Sequence, residues 1–196
     1  MQHDRSVIAR LAPRQHEPVA PARARPCVPN AQGEPGQGNQ PLATRGHLQL
    51  AAETGGLTPW CGPAVLALAT GRGYAEACNL LRAAAPEWYP AAGEVVTSYW
   101  RDLIAVLQGE GIGTAAVELP APRTTLLRLV RGGLLDAGWY MLRVTDHFLL
   151  LRHHGFGLAS LHDNRHTGAM VTGRTHGRRK VTHAVRLLGG PLVEAG

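Results

Sequence analysis

The chain has 196 residues and a formal net charge of +6, with Lys180 as its one lysine among many arginines. Three cysteines, Cys27, Cys61 and Cys78, without a CxxC pair argue against a disulfide framework or a cysteine-rich zinc site, and point to a reducing compartment. No apolar run has the length of a membrane span, and the opening MQHDRSVIARLAPRQ lacks the apolar stretch of a secretory signal.

Composition divides the chain. Residues 1–45 carry Pro13, Pro18, Pro21, Pro26, Pro29, Pro35 and Pro41, the run GEPGQGNQP and almost no large apolar residue after Leu11. Such a segment cannot bury enough surface to offset its ordering entropy, so a disordered Pro/Arg-rich arm is expected. Residues 5–11 have the length of one short helical turn, and Arg5, Arg10, Arg14, Arg23 and Arg25 suit an acidic partner or nucleic acid. A solvated tail is the plainer reading of the same residues.

Residues 46–196 read as one folded domain. Helices are expected over 62–70, 74–84 (YAEACNLLRAA) and 93–109, the last with Val96, Trp100, Leu103 and Leu107 on one stripe. A strand at 114–119 and a short helix at 124–132 follow. Strands are then expected at 138–144, 147–153, 157–163 and 180–188, with another short one near 169–172. Helices first and an antiparallel sheet after is an α+β pattern.

The stretch GGLTPWCGPAVLALATG, residues 55–71, raises a chemical question. Proline is tolerated in the first turn of a helix, so Pro63 marks a helix start and Cys61 lies at or beside its N-cap. The unpaired N–H groups and the helix dipole there favour a thiolate, which is the nucleophilic form. A small buried core residue is the other reading of Cys61.

A second clue lies in VTDHFLLLRHHGFGLASLHDNRHTG. His147 opens one expected strand, Asp163 and Asn164 close the next, and His154-Gly155-Phe156-Gly157 supplies the reversal. In an antiparallel hairpin the start of one strand lies beside the end of the next, so His147 and Asp163 are expected at one sheet edge. Cysteine, histidine and a carboxylate or amide suit the roles of nucleophile, base and orienting group.

WCGPAVLALATG, DHFLLL and LHDNRHTG together resemble the papain-like cysteine peptidases, closest to the bacteriocin-processing C39 type and related bacterial and phage domains. The resemblance covers roughly residues 50–170. It implies a helical half whose nucleophile helix packs on an antiparallel sheet, with Cys61 as nucleophile, His147 as general base and Asp163 as orienter. Asn164 competes for the third role, since papain itself uses asparagine there. The family carries a glutamine six residues before the cysteine to help form the oxyanion hole. Here Gly55 holds that position, and the nearest upstream glutamine is Gln49. Gln49 and the Cys61 backbone N–H are therefore the oxyanion candidates, and Trp60 and Gly62 are candidates to line the substrate cleft.

Other residues read more plainly. His153, His154, His162 and His166 lie around the hairpin. Around His176, Arg174, Arg178, Arg179 and Lys180 form a basic edge that suits phosphate-rich partners or, more plainly, a solvated loop before the last strand, in which His183 lies. Trp88 and Tyr89 read as loop anchors. A zinc held by Cys61, His147 and Asp163 would have the ligand number of a catalytic site, but the helix-start proline and the lack of a second nearby cysteine favour the nucleophile reading. No metal and no cofactor is expected. The expected function is a thiol hydrolase or acyl transferase acting on a peptide or isopeptide bond of a peptide or protein, away from membranes. The expected location is the cytoplasm of a bacterial or phage-infected cell, or a virion. The alternative is a non-enzymatic phage or prophage particle component that binds a partner through its basic arm.

Overall fold

The computed structural model describes residues 45–120 and 124–189. The arm assigned to residues 1–45 lies, apart from Arg45, outside the described residues. Among the described residues no helix is long and apolar enough to cross a membrane.

The architecture is α+β, with helices and one antiparallel sheet. The helices are α1 (His47–Glu53), α2 (Cys61–Thr70), α3 (Tyr74–Ala84), α4 (Trp100–Gly109) and α5 (Leu126–Arg131). The strands are β1 (Gly113–Ala116), β2 (Gly138–Val144), β3 (His147–Gly155), β4 (Leu158–His162), β5 (Ala169–Met170) and β6 (Val181–Leu188). The sheet runs β1-β6-β2-β3-β4-β5, and every neighbouring pair is antiparallel.

Both sheet faces are covered. Met141, Phe148, Leu150, Val185 and Leu187 share a core with α2, α3 and α4. Tyr140, Leu142, Val144, Leu149 and Leu151 share a second core with α5. This alternation along β2 and β3 follows from the two-residue period of a strand. Apolar residues at both parities therefore demand two covering layers.

Helix α2 is the centre of the first core: Gly62 through Thr70 are all buried, as suits a segment apolar all round. Gly71, at φ 73°, ends it in the left-handed conformation. In α3, Tyr74, Ala77, Cys78 and Leu81 form the buried stripe. The hairpin β3–β4 reverses at Phe156-Gly157, both with positive φ.

Two elements differ from expectation. Helix α1 was not expected; its seven residues bury one side chain, Leu50, too few to display a period. Residues 94–99, expected as the first turns of a helix, lie outside any helix or strand, so Val96 is exposed and off the α4 stripe. Val95-Val96-Thr97 is a β-branched run of low helix propensity. Glu94 accepts a hydrogen bond from Trp60 Nε1 at 3.0 Å, and Ser98 lies against Gly62 so closely that a Cβ on Gly62 would come within 2.1 Å of its hydroxyl. The segment therefore lies against the start of α2. Tyr89, buried, anchors the next turn through its hydroxyl, which donates to Asp102 Oδ2 at 2.7 Å and accepts from the Tyr99 N–H. Trp88 is exposed and packs edge-on against Tyr99.

Candidate active site

Cys61 is the first residue of α2, behind Trp60 as N-cap. Three separate elements hold the residues in front of it. The Trp60 N–H donates to the Tyr74 hydroxyl on α3 at 3.1 Å. Trp60 Nε1–H donates to Glu94. Asn164 Nδ2–H, just past β4, donates to the Pro59 carbonyl at 2.6 Å. The first N–H of the helix ladder to find an intrahelical partner is that of Ala64, which donates to the Trp60 carbonyl. The N–H groups of Cys61 and Gly62 precede it at the positive end of the helix dipole.

His147 opens β3, and Asp163 follows the end of β4. The hairpin register pairs Leu150 with His162, which brings these two ends of the sheet together. His147 Nε2–H donates to Asp163 Oδ2 at 2.9 Å. Asp163 is fully buried, and its other oxygen accepts from the N–H groups of Arg165 (2.8 Å) and His166 (2.7 Å) and from His166 Nδ1 at 3.1 Å. With Nε2 committed to Asp163, the ring nitrogen left for the thiol is Nδ1.

Thiol and imidazole are coupled. Burial raises the Cys61 pKa, but the hydrogen bond to His147, the Phe148 N–H and the charge of the imidazolium outweigh it and bring it below the ordinary thiol value. Burial lowers the His147 pKa, but the hydrogen bonds to Asp163 and Cys61 outweigh it and push it up to about 9. Burial likewise opposes the Asp163 charge, yet donation from His147, His176 and the Arg165 N–H holds its carboxyl far below the usual carboxylate range. The three shifts point one way: a thiol made easier to ionise, an imidazole that holds its proton more tightly, and a carboxylate that stays ionised behind them.

No family model, no curated protein and no solved structure matches this chain. The chemistry of the site is therefore argued from its own geometry.

His147 and Asp163 meet directly, and Cys61 lies close enough to His147 for each to shift the other's pKa. Among the described residues no hydrogen bond joins Asn164 to His147; its amide ties the sheet to the loop before the nucleophile. Gln49 is exposed, and its side-chain oxygen accepts from the Gly46 N–H as the cap of α1. Among the described residues no hydrogen bond joins Gln49 to Cys61. Gly55 is exposed, in the turn after α1, with φ at 68°. Trp60 is part-exposed beside the thiol, and Gly62 is sealed by Ser98.

The other histidines scatter. His153 is buried, its ring bonded to the carbonyls of Asp136 and Val130. His154 bonds to Ser160 Oγ. His162 packs on Trp139, and burial pushes its pKa down to about 4, so it is neutral at pH 7. His183 lies against Trp100.

His176 corrects the reading of residues 174–180 as a solvated loop. Its Nε2–H donates to Asp163 Oδ2 at 2.9 Å, the same oxygen that His147 uses. Arg174, Arg178, Arg179 and Lys180 around it are exposed as expected. Nothing in the spacing of RTHGRRK marks His176, because the contact spans thirteen residues through a turn. His147, Asp163 and His176 also offer three metal-ligand atoms within 4.8 Å of one another. Both imidazole nitrogens aim at the carboxylate oxygen itself, so each contact as it stands is a hydrogen bond.

Proposed function

We propose that this chain is a papain-like thiol hydrolase acting on a peptide or isopeptide bond, with Cys61 as nucleophile, His147 as base and acid, and Asp163 as orienter. The observation that carries the reading is the hydrogen bond from His147 to a fully buried Asp163, with Cys61 close enough to His147 for the imidazole to lower the thiol pKa. The thiolate attacks the carbonyl carbon, and the C=O electrons move to oxygen. The Cys61 N–H at the head of α2 is suited to hold that oxyanion. The imidazolium gives its proton to the leaving amine, and a thioester to Cys61 remains. Neutral His147 then takes a proton from water, which attacks the thioester and frees the thiolate. An amine in place of that water makes the reaction an acyl transfer. The peptide or protein substrate lies along residues 94–99 and Trp60, in a compartment where Cys61 stays reduced, as in a cytoplasm.

A second reading is a binding protein that keeps the fold without turnover, such as a particle component. It is favoured by one observation: Gly55 stands at the oxyanion glutamine position, and the Gln49 side-chain oxygen is committed to capping α1. The separating experiment is iodoacetamide labelling of the full chain across pH, with the modified cysteine mapped by mass spectrometry, followed by thiol-dependent cleavage of a peptide library. Preferential Cys61 labelling at pH 6 with cleavage supports the hydrolase. Labelling without cleavage supports the binding protein. Labelling of Cys61 no faster than Cys27 removes the activated nucleophile altogether.

A further inference from the structure

The carboxylate behind His147 is shared. Asp163 Oδ2 accepts from His147 Nε2 and from His176 Nε2, each at 2.9 Å. The two rings stack, with centroids 4.8 Å apart and planes 28° from parallel. His166 meets the His176 ring edge-on at 5.5 Å, and its own Nδ1 and N–H bond to Asp163 Oδ1. The ionisable groups facing His176 are thus Asp163, His147 and His166, with Cys61 beyond His147.

The loop that carries His176 is held in an unusual form. His176 sits at φ 55°, in the left-handed region that a histidine seldom adopts. The turn is closed by the Gly177 N–H to the Thr172 carbonyl at 3.0 Å and by the Arg179 N–H to the His176 carbonyl at 2.8 Å. Helix α5 clamps it from outside, the Leu127 N–H donating to the Gly177 carbonyl at 2.9 Å. Only glycine fits at 177, because a Cβ there would stand 2.2 Å from the Thr172 carbonyl oxygen. Strain of this kind persists where the surroundings over-determine it. What the conformation delivers here is one N–H, placed on the oxygen that orients His147.

We propose that His176 is a positioning residue of the site. By occupying the second lone-pair direction of Oδ2 it stops the carboxylate from turning, and so holds His147 in the tautomer and ring orientation that present Nδ1 to Cys61. Its ring also covers one face of His147 from water. The inference rests on Cys61 and His147 being nucleophile and base. Donors now occupy both oxygens of Asp163, and a rotation about the Cβ–Cγ bond would break all of those contacts together. Without His176, Oδ2 keeps a single donor.

The test uses two substitutions in the full chain. Asparagine tolerates the left-handed conformation, but its amide reaches only where Nδ1 of the imidazole lies, so His176→Asn withdraws the donor and spares the turn. Glutamine carries its amide nitrogen out to the Nε2 position, so His176→Gln returns a donor. The readout is the pH profile of Cys61 alkylation by iodoacetamide, with Tm measured alongside. H176N is expected to move the acid limb of the profile upward and to slow alkylation at pH 6 by about tenfold, the weight of one charge-assisted hydrogen bond. H176Q is expected to recover most of that loss at a similar Tm. If H176N does not fold, H176S serves as the donor-free variant. An H176N profile that matches wild type, or equal losses in H176N and H176Q, overturns the inference while a reactive wild-type Cys61 leaves the nucleophile reading standing. If wild-type Cys61 itself labels like Cys27 at every pH, both fall.

Discussion

Replacing Asp163 by asparagine tests the site at its centre, and the structure dictates how the amide must sit. Asp163 Oδ1 faces the backbone N–H groups of Arg165 and His166, which cannot become acceptors. The amide oxygen of D163N must therefore take that side, and its NH2 must take the place of Oδ2, opposite His147 Nε2 and His176 Nε2. Those nitrogens then have to accept, which puts the His147 proton on Nδ1, facing Cys61. A ring in that tautomer cannot accept the thiol proton. In the analogous serine triad a reversed tautomer costs on the order of 10⁴ in turnover. Cys61 should revert toward an ordinary thiol with a pKa of about 8.5, roughly 0.3% ionised at pH 6. Alkylation at pH 6 should fall by one to two orders of magnitude, an estimate of about 1.4 kcal/mol per factor of ten. Stability should drop as well, since one partner of a buried, charged network is removed; about 3 kcal/mol is expected. Because the Asp163 pKa is lowered, the stabilisation it gives is present above its unfolded value of 3.8 and is lost as pH falls further. The gap in stability between wild type and D163N should thus be widest near pH 5–6, shrink below pH about 4 as the carboxylate is protonated, and shrink again between about pH 6.5 and 9 as His147 loses its proton. Alkylation rates of D163N within about threefold of wild type at pH 6, with the same Tm, would refute the tautomer argument.

Removing the imidazole by His147→Ala should slow Cys61 alkylation at pH 6 by at least about tenfold while leaving the rate at pH 9.5 within about threefold, because the ion pair matters only where an isolated thiol is protonated; an unchanged rate at pH 6 would show that His147 does not activate the thiol. Cleavage, which needs the imidazolium as acid, should fall on the alkaline side near the His147 pKa of about 9, as read from a kcat–pH profile. Gly62→Ala should destabilise the chain by about 1–3 kcal/mol in thermal unfolding, and Ser98→Gly in the same chain should restore most of it, since the clash is with Ser98 alone; an unchanged Tm in G62A would contradict the close approach of residues 94–99. Gln49→Ala should cost about 0.5–1 kcal/mol as a lost helix cap and leave peptide turnover unchanged. A hundredfold loss of turnover in Q49A would instead assign Gln49 to the oxyanion.

Much of the frame was legible because its signals are local. Helix α3 and strand β2 begin and end where their periods predict, since amphipathic spacing depends on residues a few positions apart. The start of α2 follows from Pro63 and the small apolar run behind it. Residues 94–99 differ from the expected helix because an apolar stripe alone does not say that Ser98 must approach Gly62, a contact set by tertiary packing. Choosing between Asp163 and Asn164 was open in one dimension. In three dimensions Asn164 turns to Pro59 and Asp163 turns to His147, a difference set by which way adjacent side chains leave the strand end.

By itself, then, the sequence determined that a cysteine stands at the head of a buried helix and that a histidine and an aspartate flank one end of a hairpin. Both are consequences of short-range geometry: a proline at a helix start and a glycine-bearing turn between strands. Only the tertiary structure decided that this hairpin end faces that helix head. It also decided that His176 reaches the same carboxylate oxygen from a loop clamped by α5, and that Gln49 serves α1. Those meetings depend on the strand order β1-β6-β2-β3-β4-β5 and on which layer covers each face of the sheet. Such contacts join residues far apart along the chain, and what fixes them is the burial of two apolar faces at once, a property of no single segment.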